Sequence, residues 1–164
     1  MTGTGVRSLA VEHVGNKRQS AEEARRIAGE VAGLIGARYT RSDLTASDLR
    51  QRDVIVVSPY NAQVRCLREH LDATGLTDVR VGTVDKFQGQ EAAVAFFSMA
   101  TSSGEDVPRN VEFLYSRNRL NVAVSRARCI AVLVANPALM TIRCRTVEQM
   151  RLVNALCLLD EMSG

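Results

Sequence analysis

The 164-residue sequence predicts a single α/β domain with a mainly parallel central sheet flanked by helices. Short, nearly unbroken apolar runs recur at 53–58, 92–100 and 129–135, as is typical of strands buried on both faces. Segments with apolar residues at helical spacing alternate with these runs. A chain of this length can bury one hydrophobic core, but it is short for two domains.

The first predicted elements are a strand at 6–11 and a helix that begins after Ser20. Ser20 and Glu23 have the spacing of a capping box, and Gly36 fits the end of the helix. His13 falls in the turn between the two elements, where we expect a loop residue rather than a catalyst.

The middle of the chain is predicted to form a polar surface connection over 40–52, a buried strand, and a second helix with Gly75 as its stop. A turn-rich loop is expected at 101–110, followed by short helical pieces at 111–115 and 117–124. After the last strand, a terminal amphipathic helix is predicted to bury Met150, Val153, Leu156 and Cys157 on one face.

Composition and charge fit a globular protein. Hydrophobic residues make up 46% of the chain and charged residues 24%, and the apolar runs are far shorter than a membrane span. The net charge of +3 permits a polyanionic partner without requiring one. We expect a soluble cytoplasmic protein without a membrane segment, in which residues 1–5 are a short leader.

The cysteines predict free thiols rather than a metal site. Cys66, Cys129, Cys144 and Cys157 lack the paired Cys-x-x-Cys spacing of zinc sites, and both histidines lie far from them in sequence. Apolar neighbours of Cys129 and Cys157 indicate buried thiols in a reducing compartment. No metal ligand is predicted.

The stretch from Val81 to Glu91, Val-Gly-Thr-Val-Asp-Lys-Phe-Gln-Gly-Gln-Glu, predicts a ligand surface. Its valines indicate a strand that ends at a polar loop, and another apolar run follows at once. Loops at the carboxyl ends of parallel strands line ligand crevices, so 83–91 is a candidate site. An ordinary strand-to-helix connection is the alternative.

Two more stretches make the pattern specific. The sequence Asn-Val-Ala-Val-Ser-Arg-Ala-Arg at 121–128 precedes the last strand, and Ser-Pro-Tyr-Asn-Ala-Gln at 58–63 ends the central strand. In this order, 58–63, 83–91 and 121–128 resemble motifs IV, V and VI of superfamily 1 helicases, the branch that includes the nonsense-mediated-decay helicases. A looser match covers 13–24, where that family often has Gly-Asn followed by Glu-Ala.

This resemblance implies that residues 6–164 form a three-layer RecA-like domain of the P-loop NTPase type. The chain has no Gly-Lys dipeptide and therefore no P-loop of its own. The family places ATP and Mg²⁺ between two such domains, and the P-loop and the Mg²⁺ ligands belong to the first. We therefore expect this chain to be the second motor domain, inactive alone, whose partner is an N-terminal RecA-like domain of the same polypeptide.

The resemblance also implies nucleotide-facing residues. Arg126 matches the motif VI arginine that reaches the γ-phosphate, where an arginine finger stabilises charge during transfer. Glu91 matches the motif V acid that meets the nucleotide sugar, and Gln88 and Gly89 lie in the same ATP-binding loop. Gln90 departs from the arginine common at its position. A structural arginine at a helix end is the alternative for Arg126.

Nucleic-acid contacts are implied at motifs IV and V, where backbone amides, small polar groups and rings meet phosphate and base. The alternatives are a half-buried aromatic for Tyr60 and a merely solvated lysine for Lys86. The predicted residues facing single-stranded DNA or RNA are Ser58, Pro59, Tyr60, Asn61, Thr83, Val84 and Lys86.

The sequence thus favours the C-terminal motor domain of an ATP-dependent DNA or RNA helicase or translocase. A non-enzymatic RecA-like module that binds nucleic acid or protein is the alternative. A similar C-terminal pattern occurs in bacterial proteins with a RecB-like nuclease domain, sometimes with an iron-sulfur cluster, and the resemblance is compatible with such a parent protein.

Overall fold

The computed structural model describes residues 5–40, 45–106, 114 and 125–161. Three short 3₁₀ turns, Gln51–Asp53, Val84–Phe87 and Pro137–Thr141, join its longer elements. The helices and strands are β1 (Gly5–Ala10), α1 (Ala21–Leu34), β2 (Arg38–Thr40), β3 (Ala46–Asp48), β4 (Val54–Ser58), α2 (Asn61–Ala73), β5 (Arg80–Thr83), β6 (Ala92–Ser98), β7 (Ala127–Ala135) and α3 (Val147–Glu161).

Five strands form a parallel sheet in the order β1-β7-β6-β4-β5. Every residue of β4 and β6 is buried, because helices or turns cover both faces of the sheet. The structure therefore confirms the predicted three-layer RecA-like α/β fold.

Each face of the sheet has its own apolar core. One core joins the sheet to α1 and α2, with Ile27, Val31 and Leu67 fully buried. The other joins the opposite face to α3 and to the 3₁₀ turns Val84–Phe87 and Pro137–Thr141, and it includes the fully buried Phe87 and Leu156. Loops that leave the strand ends are thus supported from both sides.

At the start of α1, only one of the two hydrogen bonds of the predicted capping box is formed. Ser20 Oγ accepts a hydrogen bond from the Glu23 backbone N–H at 3.1 Å, as expected. The Ser20 backbone N–H, however, donates to Gln63 Oε1 at 2.7 Å, which leaves the Glu23 carboxylate for the protein interior. Gly36 lies just past the helix with φ +86°, in agreement with the predicted stop.

Three other expectations need correction. The connection predicted over 40–52 includes β3, which pairs with β2 as a small antiparallel hairpin of polar, three-residue strands. The strand predicted to reach residue 100 ends at Ser98. On α3, Met150 is 52% exposed and Leu152 is buried in its place, because α3 packs on a neighbouring set of its residues.

The helical pieces predicted at 111–115 and 117–124 lie outside the described residues, apart from buried Leu114. The same is true of positions 121–124 of the motif VI stretch. Within the described ranges, none of the helices combines the length and the apolar character needed to cross a membrane.

A buried polar cluster joins the loops after β1 and β6 to the start of α1. Glu23 Oε2 accepts hydrogen bonds from Ser98 Oγ at 2.6 Å and from the Ala100 backbone N–H at 3.0 Å. Glu23 Oε1 lies 3.1 Å from His13 Nε2, and both side chains are fully buried. Ala100 has φ +63°, a conformation that costs free energy in a residue with a side chain and that this carboxylate helps to hold.

We expect Glu23→Ala to lower the free energy of unfolding by about 3–5 kcal/mol, since it leaves several buried donors without an acceptor. Urea unfolding followed by circular dichroism measures the change. Glu30→Ala is the matched control on the same helix; its partly exposed pair with Arg26 contributes less than about 1 kcal/mol. Equal losses for the two variants would contradict the role of Glu23.

Candidate nucleotide and nucleic-acid surfaces

Strand direction places the candidate residues at two opposite ends of the sheet. Because the five strands are parallel, residues that directly precede a strand lie at one end, here called the amino edge. Residues that directly follow a strand lie at the other end, the carboxyl edge. The expectation of one surface over 83–91 is therefore corrected: Thr83 ends β5 at the carboxyl edge, whereas Glu91 precedes β6 at the amino edge. The two edges are roughly 15–20 Å apart.

The amino edge brings Glu91 and Arg126 together. Ala92 and Ala127 are register partners in the β6–β7 ladder, and the Ala92 backbone N–H donates to the Arg126 carbonyl at 2.9 Å. Glu91 and Arg126 are the residues that directly precede these partners. Glu91 is exposed and Arg126 is half-buried. An acidic and a basic side chain from distant parts of the sequence thus share one exposed edge.

The loop at 88–91 is also exposed at this edge. Gly89 has φ +81°, so a side chain at this position would be strained, although the space around it is open and a Cβ there would meet no atom within 4 Å. Phe87, 1% exposed, anchors the loop in the core below it. Gln88 and Gly89 are therefore exposed to solvent, while the adjacent buried Phe87 holds this part of the loop against the core.

Arg80 fastens this loop to β5, a contact that sequence reasoning missed. Its Nη1 donates to Gln90 Oε1 at 3.3 Å, and its Nη2 donates to the Glu91 carbonyl at 3.1 Å. The Gln90 amide in turn donates to the Lys86 carbonyl at 2.9 Å. Gln90 thus organises the loop rather than facing a ligand. The pattern around Arg80 carries no signal for this role.

Lys86 turns back toward the strand that precedes it. Its Nζ donates to the Val81 carbonyl at 3.0 Å, on the outermost strand of the sheet. A Cβ on Gly82 would lie 2.5 Å from Lys86 Cδ, so the lysine stem packs closely over this glycine. The Lys86 ammonium group thus satisfies a carbonyl group of the outermost strand, β5. Contact between Lys86 and nucleic acid stays a prediction.

The carboxyl edge brings motifs IV and V together, because Ser58 and Thr83 are register partners at the ends of β4 and β5. Asn61 is exposed and Thr83 is half-buried. Apart from Lys86, which is exposed, the other predicted nucleic-acid contacts are buried: Tyr60, for example, is 6% exposed within the apolar core. The side chains buried in this way are Ser58, Pro59, Tyr60 and Val84.

Gln63, the last residue of the motif IV stretch, is also buried. Its Nε2 donates to the Ser20 carbonyl at 3.1 Å and to Ser98 Oγ at 2.9 Å. These bonds fix the start of α2 against the start of α1 and the end of β6. The side chain of Gln63 therefore positions the carboxyl edge and does not contact a ligand.

Comparison with known proteins identifies the family. Residues 6–138 match the family described as the AAA domain, which covers more than half of the chain. The chain belongs to this AAA domain family.

Curated relatives of this domain are helicases. The chain is 43% identical over 90 residues to DNA polymerase alpha-associated DNA helicase A of Schizosaccharomyces pombe, a match that covers 55% of the chain and 13% of that protein. It is 35% identical over 95 residues to RNA helicase Mov10l1 of Mus musculus, covering 56% of the chain and 8% of the relative. The matches thus span only a small part of the relatives' length, and they support a superfamily 1 helicase-type domain.

The four cysteines of this helicase-type domain are free. Cys66 is buried, whereas Cys129 and Cys157, predicted to be buried, are half-buried. Burial raises the pKa of the Cys66 and Cys157 thiols, which disfavours the reactive thiolate. Among the residues that the structure describes, no group of three or more His, Cys, Asp or Glu side chains is arranged as a metal site.

We expect Arg80→Ala to loosen the 88–91 loop without unfolding the domain. Amides in 88–92 should exchange with deuterium about fivefold faster, because a net hydrogen bond contributes about 1 kcal/mol. Arg65→Ala, which removes an exposed arginine from α2, is the control and should leave this segment unchanged. Identical exchange at 88–92 in both variants would show that Arg80 does not hold the loop.

Proposed function

We propose that this domain is the second, C-terminal motor domain of an ATP-dependent superfamily 1 helicase or translocase. It works with a P-loop domain elsewhere in the same polypeptide and binds single-stranded DNA or RNA. The placement of Glu91 and Arg126 side by side at the amino edge carries the proposal. Motifs IV and V begin at the opposite edge, with Ser58 and Thr83 at the ends of β4 and β5, so the sheet lies between the proposed nucleotide side and the proposed nucleic-acid side.

At the amino edge, the side chains present the groups that a nucleotide requires. Arg126 supplies a guanidinium group suited to the charge that develops on phosphoryl oxygens. Glu91 supplies a carboxylate that accepts hydrogen bonds from sugar hydroxyls, and Gly89 allows close approach of its backbone. Gln88 adds an exposed amide. ATP supplies the phosphoanhydride bond, and the P-loop domain supplies the ligands for Mg²⁺.

At the carboxyl edge, exposed Asn61 and half-buried Thr83 are side chains of motifs IV and V that a nucleic acid can reach, and exposed Asp85 and Lys86 follow Thr83. They act together with backbone N–H groups at the start of α2, since such groups suit phosphate oxygens. Tyr60 and Val84 contribute differently, because their burial fixes the backbone that carries the contacts. Lys86 adds a positive charge beside this edge.

The segment between Thr83 and Glu91 physically connects the two edges. Phe87 anchors it in the core, while Lys86 and Arg80 fasten it to β5. A segment held at so many points moves with the domain rather than independently of it. Closure against the P-loop domain would therefore shift both surfaces as one body, which is the requirement for stepping along a strand.

We expect Arg126→Ala to reduce nucleic-acid-stimulated ATP hydrolysis by about a thousandfold or more in the protein that unites this domain with its P-loop domain. The physical reason is loss of the positive charge that stabilises the transferring phosphoryl group. Steady-state turnover with saturating oligonucleotide measures the effect, and fluorescence anisotropy checks that strand binding is retained.

Arg151→Ala is the matched control, since it removes an arginine that is 66% exposed on α3. This variant should turn over ATP at the unsubstituted rate. Unchanged ATP turnover in Arg126→Ala would contradict the assignment of Arg126 as an arginine finger. Retained strand binding without any ATP turnover in the unsubstituted protein would favour a non-enzymatic binding module.

We expect Asn61→Asp to weaken binding of a single-stranded oligonucleotide about fivefold, because a carboxylate beside a phosphate costs about 1 kcal/mol in water. Asn61 is the first residue of α2, where an acidic side chain suits the helix dipole, so folding should not suffer. Asn154→Asp on the exposed side of α3 is the control. If anisotropy titrations gave equal affinities for Asn61→Asp and Asn154→Asp, Asn61 would not be part of the nucleic-acid-binding surface.

A further inference from the structure

The loop between β1 and α1, residues 11–20, lies on the carboxyl edge directly beside the start of α2. Its last residue, Ser20, exchanges two hydrogen bonds with Gln63: Ser20 N–H donates to Oε1 at 2.7 Å, and Nε2 donates to the Ser20 carbonyl at 3.1 Å. Gln63 lies two residues after Asn61 in the first turn of α2. The loop is therefore continuous with the surface assigned to motif IV.

Hydrogen bonds from neighbouring loops hold this loop in one conformation. The Asn16 N–H donates to Ser102 Oγ at 2.8 Å, and the Ser102 N–H donates back to the Asn16 carbonyl at 2.8 Å. Thr101 Oγ1 donates to the Lys17 carbonyl at 2.8 Å. Asn136 Nδ2 donates to the carbonyl of buried His13 at 2.6 Å. A loop fixed in this way loses little conformational entropy when it binds a ligand.

The exposed side chains of the loop include the apolar Val14 and two cations, with one carboxylate, Glu12, on the other side of buried His13. Val14 is 95% exposed at the tip, next to Gly15 with φ +75°. Lys17 and Arg18 are exposed, and neither forms an ion pair with a carboxylate of the described residues. The nearby Glu22 carboxylate instead accepts hydrogen bonds from Asn16 Nδ2 at 2.9 Å and Ser20 Oγ at 3.0 Å.

We propose that this loop is a third nucleic-acid contact, in which Lys17 and Arg18 bind phosphates and Val14 packs against the base or sugar of a single strand. This inference rests on the proposed function, and it extends the proposed nucleic-acid-binding surface from motifs IV and V along the carboxyl edge to β1. Strand β1 is separated from β4 by β7 and β6, so this surface lengthens by about 14 Å, a distance that an extended strand covers within a few nucleotides. Cations beside an apolar contact suit the phosphate and base of a single strand.

A tryptophan at the loop tip tests direct contact. The chain contains no tryptophan, so Val14→Trp introduces a single fluorescent reporter at a position whose exposure makes the change structurally neutral. We expect oligothymidylate or oligouridylate to change its fluorescence, with the same midpoint as binding measured by anisotropy. Leu158→Trp, at a 57% exposed position near the end of α3, is the control and should show no change.

The two cations are tested by salt dependence. Each lost phosphate contact reduces the slope of log affinity against log salt by about 0.7 for a single strand, so Lys17→Ala/Arg18→Ala should reduce it by about 1.4. The double variant Arg38→Ala/Arg52→Ala removes the same charge from exposed positions toward the amino edge and should leave the slope unchanged.

Oligonucleotide binding with unchanged Val14→Trp fluorescence and an unchanged salt slope in Lys17→Ala/Arg18→Ala would overturn this inference but leave the proposed function standing. Absence of strand binding, both by this chain and by the protein that includes the P-loop domain, would overturn the proposed function and this inference together.

Discussion

The parallel ladder between β6 and β7 is the constraint on which the functional geometry depends. It begins at Ala92 and Ala127, and after a register irregularity it continues from Val94 and Ile130; the first pair places Glu91 and Arg126, the residues before it, next to each other. Strand β6 is buried on both faces and hydrogen-bonded on both sides, so a register shift would disturb every packed side chain of the strand. Backbone pairing, rather than a bond between the two side chains, therefore sets their proximity.

The opposite edge is built from loops, yet it is rigid for a definite physical reason. The Glu23 carboxylate and the Gln63 amide are buried, and both have hydrogen-bond partners on neighbouring segments. Buried polar groups are costly when a partner is lost, so each bond restrains the loops that it joins. These bonds join the start of α1, the start of α2 and the end of β6.

Much of the fold was predictable from local pattern. The unbroken apolar runs identified β4 and β6, and Ser20 with Gly36 marked both ends of α1. The β2–β3 hairpin was missed because three-residue polar strands carry no hydrophobic period. The predicted hydrogen bond from the Ser20 N–H to Glu23 is not formed, because the Glu23 carboxylate accepts hydrogen bonds from Ser98 and Ala100 in the interior. Local sequence does not reveal these partners.

The motifs named the candidate residues, whereas their placement at two opposite edges follows from the sheet topology. The pattern over 83–91 predicts a loop at the carboxyl ends of the strands, whereas this segment joins two parallel strands and returns to the opposite edge of the sheet. That requirement was implicit in the predicted parallel topology. The role of Arg80 had no comparable signal, because it depends on where the returning loop packs. Burial of Tyr60 likewise depends on tertiary packing around the start of α2.

The most direct measurement compares ATP hydrolysis by this chain with that of the protein that unites it with its P-loop domain, each with and without single-stranded DNA and RNA. We expect no turnover by the chain alone and strand-stimulated turnover by the two-domain protein. Stimulation by one polymer would also identify the preferred strand. Turnover by the isolated chain, or none by the folded two-domain protein with either strand, would contradict the assignment of a second motor domain.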